Sequence, residues 1–300
     1  MTSLVRSETR TLGSLGAVGP ISYGQWRYTT DDLAHAQRLV ETALDAGMNL
    51  IDTADVYGLD WGGDGFGDVE AILGAVLRQA PHLRDRMVLA TKGGIRPPVP
   101  YDSSAEWITT ACDDSLRRLA TDTIDLYQIH RPDMYTHPAQ LAETLSGLRE
   151  QGKIREVGVS NHTVAQTAAL QAHLPFPLVS TQPEFSAITL APMRDGTFDH
   201  CVASGLVPLA WSPLAGGRLA TGDDVRPELL TELDRLAERE SVDRSQIALA
   251  FVLAHPSAPV AIIGTQNPER ITASTAALGV TLDRSDVYAI VQASQGEPLP

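Results

Sequence analysis

The chain has 300 residues, 43 % hydrophobic and 20 % charged, a globular composition with ample apolar material for one large core. Its 23 basic and 37 acidic residues give a formal charge of −14, a surface that repels phosphate backbones and anionic lipid, so nucleic acid and membrane are excluded as partners. Two cysteines, Cys112 and Cys201, make no disulfide framework and fit a reducing compartment. The first sixteen residues lack the apolar stretch of a signal peptide, and no segment approaches the roughly 20 apolar residues that span a bilayer. A soluble, cytoplasmic protein with a small-molecule partner is expected, as a monomer or weak homo-oligomer.

Short apolar runs alternate with helical patterns along the chain. The first strand, Ala17–Tyr23, is interrupted by Gly19 and Pro20, and the N-terminal region shows no clear hairpin. Then Leu33, Ala36, Leu39, Val40, Ala43 and Leu44 follow helical spacing, closed by Gly47. Strands are expected at Asn49–Thr53, Met87–Thr91, Ile124–Ile129 and Glu156–Val159, and further on at Leu178–Thr181, Leu206–Trp211 and Val260–Ile263. These runs are continuously hydrophobic rather than alternating, as in parallel strands covered on both faces. Ser103, three residues before Glu106, suggests a capping box, and Cys112 sits on the apolar face of the helix that follows. Helical patterns also cover 227–240, 243–254 and 283–294. No linker, charge block or low-complexity tract divides residues 1–300, so one α/β domain is expected, either a (β/α)8 TIM barrel or a doubly wound open sheet.

Gly63-Asp64-Gly65-Phe66-Gly67 tests the second option. The glycines begin about ten residues after a strand, too far for a tight turn onto a pyrophosphate, and Asp60, Asp64, Asp68 and Glu70 would repel that anion. The stretch reads as a rim loop, which leaves the barrel.

Barrel chemistry collects where strands run out. Those ends supply Asp52 with Tyr57 just beyond, then Lys92, His130, Ser160-Asn161 and Gln182. Each alone has an ordinary structural explanation, as a loop cap, a solvated charge or a packed ring. Together, in this order, they form a set.

The segments NLIDTADVYG (49–58), LATKGG (89–94), DLYQIHRPD (125–133) and GKIREVGVSNHT (152–163) resemble the aldo-keto reductase superfamily. So do TQPEFS (181–186), AWSPLAGGRL (210–219) and IIGTQNPERI (262–271), and the likeness spans almost the whole chain. It implies an NADPH-dependent oxidoreductase that reduces an aldehyde or ketone by hydride transfer, with Asp52, Tyr57, Lys92 and His130 as its catalytic tetrad. In that chemistry Tyr57 supplies the proton, Lys92 eases loss of a phenolic proton whose pKa is ordinarily near 10, Asp52 keeps Lys92 charged, and His130 orients the carbonyl.

The resemblance further implies that Ser160, Asn161 and Gln182 hold the carboxamide of NADPH (NADP+) and that Trp211 stacks on its nicotinamide. Ser212, Leu214, Gly217 and Arg218 fall in the pyrophosphate loop, and Gln25 and Trp26 match the segment at the nicotinamide ribose. Thr265 and Arg270 match positions at the adenosine 2′-phosphate, with Gly264, where many members carry Lys, and Gln266 in the same cofactor-binding stretch, beside a helix start with Asn267 as N-cap and Pro268 at its first position. Ala273 and Ser274 stand where Glu and Asn often meet adenine. Trp26, Trp61 and Tyr101 are candidates for an aromatic substrate pocket. Rival readings are a nucleotide-sensing binding subunit, a lyase using Lys92 as a Schiff-base nucleophile, and a metal hydrolase. Asp52 argues against the neutral lysine that a lyase needs, and His130 and His137 lack a ligand cluster, so no metal is expected.

Overall fold

The computed structural model describes residues 3–299. Eight short strands, β1 (Ile21–Gly24), β2 (Leu50–Asp52), β3 (Val88–Gly93), β4 (Ile124–Ile129), β5 (Ile154–Ser160), β6 (Ser180–Gln182), β7 (Val207–Ala210) and β8 (Val260–Ile263), pair in parallel in chain order. β8 pairs back onto β1, with Ile262 opposite Ser22, and the sheet closes into a barrel. Helices α1 (Leu33–Asp45), α2 (Asp68–Gln79), α3 (Ala105–Leu119), α4 (Pro138–Glu150), α5 (Val164–Gln171) and α6 (Thr197–Ser204) follow β1 to β6 in turn. Between β7 and β8 lie α7 (Arg218–Thr221), α8 (Pro227–Glu240) and α9 (Arg244–Leu253), and after β8 come α10 (Pro268–Ser274) and α11 (Arg284–Gln295). The fold is the (β/α)8 barrel.

Local signals explain the elements. On α1 the buried side chains are Ala36, Leu39, Val40, Ala43 and Leu44, the spacing of one helical face, and Asp32 caps the helix by accepting from the His35 N–H at 2.9 Å. Alternate residues of each strand face the barrel interior. There Leu50, Val88, Ala90, Leu126, Val207, Leu209, Val260 and Ile262 form one apolar cluster, separate from the larger one between strands and helices. Both apolar layers explain why the strands read as continuous hydrophobic runs.

Several local expectations are corrected. The run Ala17–Tyr23 is two elements: Ala17–Val18 pairs antiparallel with Arg10–Thr11 as a hairpin, and the barrel strand begins only at Ile21. Gly19 marks the break, where its N–H donates to Asn49 Oδ1 and a β-carbon would strike the Gly47 carbonyl. The hairpin supplies Leu12 and Val18 to the interior cluster and so closes that end of the barrel. At α3 the N-cap is Ser104, not Ser103. Asp102 and Asp133 accept from the N–H groups of Ser104 and Ser103 and hold the chain extended for one residue more.

β3 reaches Gly93, two residues past its expected end, so Lys92 lies inside the strand. β6 spans Ser180–Gln182 and β7 stops at Ala210, leaving Trp211 in an isolated bridge to Glu184. The Gly63–Gly67 stretch is a run of turns whose last glycine, at φ 87°, starts α2.

α2 crosses α3 so closely that a β-carbon on Gly74 would fall against the backbone carbonyl of Arg118. Backbone cannot rotate aside as a side chain can. Gly74→Ala is expected to lower the unfolding free energy by about 2 kcal/mol, seen as an earlier urea midpoint. An unchanged midpoint would contradict this packing.

Candidate active site

Strand parity builds the site. Leu50, Ala90 and Leu126 point into the barrel, so two residues further along β2, β3 and β4 the side chains of Asp52, Lys92 and Gln128 point inward as well. Lys92 lies opposite Gln128 in the β3–β4 register, and Gln182 lies opposite Ser160 between β5 and β6. The inner wall is therefore apolar at one end and polar at the end where the strands run out.

These polar side chains are joined. Lys92, fully buried, donates from Nζ to Asp52 Oδ2 at 2.7 Å, to the Thr53 carbonyl at 2.8 Å and to the Tyr57 hydroxyl at 3.3 Å. The other Asp52 oxygen accepts from Gln128 Nε2 at 3.1 Å and Gln182 Nε2 at 2.9 Å. The rings of Tyr57 and His130 meet edge to face, centroids 5.8 Å apart. Asp52, Tyr57, Lys92 and His130 are thus within one cluster, and Asp52, Tyr57 and His130 line a cavity of about 1490 Å³.

Burial sets the protonation states. It works against the Lys92 ammonium, but Asp52 and Tyr57 outweigh it and hold the amine above its ordinary range. The Tyr57 phenol departs from the sequence expectation of an acidified group. Desolvation raises it more than Lys92 lowers it, and the phenol stands above 10, protonated at neutral pH. His130 is driven well below 6.5 by burial and by the charges of Lys92 and Arg131, which makes it a neutral imidazole.

The cavity runs from this cluster along β5 to β8. Gln25, Trp26, Ser160, Asn161 and Gln182 line its wall, followed by Trp211, Ser212, Leu214, Gly217 and Arg218, and then by Gly264, Thr265, Gln266 and Arg270. All the residues expected at a cofactor therefore border one space. Several are also bonded among themselves. Ser160 Oγ donates to the Gln182 carbonyl at 3.0 Å and accepts from Asn161 Nδ2, and Asn161 Oδ1 accepts from Trp211 Nε1 at 3.0 Å. Ser212 Oγ accepts the Gly216 N–H at 2.8 Å. Arg218 pairs with Asp224 at 3.2 Å rather than standing free. Gln25 differs: it is fully buried, and neither amide atom has a partner among the described residues. Asn267 does cap α10, its Oδ1 accepting from the Arg270 N–H at 3.1 Å.

Of the aromatic candidates, Trp26 lines the cavity, while Trp61 packs against the Trp26 ring, tilted by 45° with centroids 5.2 Å apart, and the Arg27 guanidinium lies 4.4 Å from the Trp61 ring centre. Tyr101 lies instead on a short hairpin, Ile95–Arg96 with Val99–Tyr101, outside the cavity wall. Gly63 to Gly67 also stay clear of it. Sequence reasoning missed Gln128 and Arg27. Gln128 had a signal, since it sits two residues before His130 and shares its face of the strand. Arg27 had none: its guanidinium reaches the Gly216 carbonyl across 189 positions of sequence. Among the described residues no group of His, Cys, Asp and Glu could hold a metal ion, and no helix is long and apolar enough to cross a membrane.

The profile of the aldo/keto reductase family matches residues 20–295. A 6-dehydroglucose reductase of Novosphingobium aromaticivorans is 48 % identical over 295 residues, covering 97 % of both chains. Another 6-dehydroglucose reductase, from Agrobacterium fabrum, is 35 % identical over 289 residues, with 92 % of this chain and 94 % of that one covered. An aldo/keto reductase of Klebsiella pneumoniae, solved in complex with NADP and acetate, is 26 % identical with a TM-score of 0.79, over 98 % of this chain and 97 % of that one. The protein belongs to the aldo/keto reductase family and is an oxidoreductase.

The state of His130 has a pH signature. Its folded pKa lies below the unfolded value near 6.5, so the unfolded chain takes up the proton first. The stability linked to this group is present above about pH 6.5 and is lost as pH falls below it. Side-chain NMR should show a neutral His130 ring at pH 6; a midpoint at or above 6.5 would contradict the burial argument.

Proposed function

We propose that the protein reduces an aldehyde to a primary alcohol with NADPH, and that hydroxylated aldehydes such as 6-dehydroglucose are its substrates. The observation that carries this reading is the Lys92 ammonium held between Asp52 and the Tyr57 hydroxyl, at 2.7 and 3.3 Å, beside the cavity. Two relatives named as 6-dehydroglucose reductases, aligned over nearly the whole chain, support the substrate.

The cavity wall suits an anionic dinucleotide. Gln25 offers two buried amide atoms that nothing among the described residues satisfies, and buried polar atoms rarely stay unpaired. In a chain of net charge −14, the same wall sets Arg27, Arg131, Arg218, Arg244 and Arg270 against Asp52, Asp60, Asp223, Asp234 and Asp243, an even balance where the chain as a whole is acidic. In this reading Gln25, Ser160, Asn161 and Gln182 hold the nicotinamide half, with Trp211 against the ring. Ser212, Leu214, Gly217 and Arg218 border the pyrophosphate, and Gly264, Thr265, Gln266 and Arg270 the 2′-phosphate end. When bound, NADPH supplies the hydride that adds to the carbonyl carbon.

The chain's own residues manage the oxygen. Negative charge grows there as the carbon is reduced, and the neutral His130 ring offers an N–H while Tyr57 gives up its phenolic proton. Lys92 stabilises the phenolate left behind, and Asp52 keeps Lys92 charged through the transfer. The raised phenol is consistent with this role, because a donor must hold its proton at working pH.

Tyr57→Phe is expected to lower kcat by about 100- to 10,000-fold while NADPH affinity, read by fluorescence titration, stays nearly intact. Retention of more than about a tenth of kcat would remove Tyr57 as the acid. Arg270→Ala should weaken NADPH by roughly tenfold or more and NADH much less, because a charge-assisted hydrogen bond to the 2′-phosphate is lost. Equal losses for both nucleotides would refute the 2′-phosphate contact.

A further inference from the structure

Five arginines border the cavity, and three already have partners. Arg27 stacks on Trp61 and donates to the Gly216 carbonyl, Arg218 pairs with Asp224, and Arg244 grips Asp234 through two contacts of 2.6 Å. Among the described residues the side chains of Arg131 and Arg270 have no hydrogen-bond or ion-pair partner. Arg270 lies at the far end of the cavity, beside Thr265 and Ser274. Arg131 is at the opposite end, next in sequence to His130.

The backbone that carries Arg131 is fixed on both sides of His130. The His130 N–H donates to the Gly93 carbonyl at 2.9 Å, and the His130 carbonyl accepts from Asn161 Nδ2 at 3.3 Å. Asp133, two residues on, accepts from the Ser103 N–H at 2.9 Å and from Thr136 Oγ1 at 2.7 Å, which anchors the loop after it. Arg131 therefore stands on a braced segment rather than a free loop. Its charge reaches both Tyr57 and His130. Asp60, three residues past Tyr57, also borders the cavity; it is exposed, and its carboxylate too has no hydrogen-bond or ion-pair partner among the described residues.

We infer that Arg131 and Asp60 are specificity residues that read the hydroxyl groups of the substrate beyond its reacting carbonyl. The assignment rests on the proposed aldehyde reduction and deepens it. A guanidinium only donates hydrogen bonds and a carboxylate only accepts them, whereas a sugar hydroxyl does both. A wall offering one unpaired group of each kind complements a neutral polyol. An anionic substrate would gain from Arg131 but would be repelled by Asp60 and by the net charge of −14. A purely apolar aldehyde would displace water from both charges and offer nothing in its place.

The test uses the full-length protein with NADPH and three probes: 6-dehydroglucose, benzaldehyde and succinic semialdehyde. The readout is the ratio of kcat/KM for 6-dehydroglucose to that for benzaldehyde, measured within one preparation, so a partly unfolded variant leaves it unaffected. Arg131→Met is expected to lower this ratio about tenfold or more, mainly through KM, and Asp60→Asn to lower it by roughly threefold. Arg131→Lys should recover part of the loss. A ratio unchanged within about twofold in both Arg131→Met and Asp60→Asn would overturn the assignment while leaving the reductase activity standing. A larger loss on succinic semialdehyde than on 6-dehydroglucose would overturn it in favour of an anion site. If the unmodified protein reduces no aldehyde, the parent activity falls and this inference with it.

Discussion

The contact between Lys92 and Asp52 governs the polar end of the barrel. Lys92 has no solvent exposure, and an isolated ammonium there would lose its proton. Asp52 prevents this, and Asp52 is in turn held by Gln128 and Gln182, so the pair ties β2, β3, β4 and β6 together at one level. A buried ion pair is a poor source of stability, since packed apolar side chains would serve the fold as well. Its presence where a barrel keeps its chemistry is what gives it functional meaning.

Two opposing fields meet at this point. The chain as a whole is acidic, while the cavity wall sets five arginines against five aspartates, and carboxylates within the protein neutralise two of those arginines, Arg218 and Arg244. Burial and charge also compete at Tyr57. Lys92 draws the phenol down, but removal from water pushes it up further. A lysine beside a tyrosine does not by itself make an acidic tyrosine. Here the lysine lowers the cost of a phenolate that exists only after the proton has moved, while the resting group stays protonated.

Much of the site could be read in the sequence because of where barrel side chains must point. Asp52, Lys92 and His130 lie within one residue of their strands' last positions, and the inward face there opens on one cavity. What escaped was whatever depended on small offsets or distant contacts. The N-terminal hairpin was hidden because its strands have two residues each, too few to show a period. Ser104 rather than Ser103 caps α3 because two aspartates, one thirty residues away, hold the preceding backbone extended. Arg218 carried the right charge at the right place in the motif, but the Asp224 carboxylate engages it.

Residue order alone determined the layered α/β architecture, since continuous apolar strands separated by amphipathic helices bury both faces in that way, and the misplaced, acid-flanked glycines of Gly63–Gly67 left the barrel, whose strand-end residues share one rim. Tertiary structure alone decided which charges are free. Whether an arginine faces a carboxylate, a carbonyl or open space depends on loops brought together across the barrel, and at hydrogen-bonding range a shift of about one ångström separates a paired group from an available one. For the same reason the protonation of Tyr57 and His130 followed from burial, a property of the packed molecule that no local pattern of residues encodes.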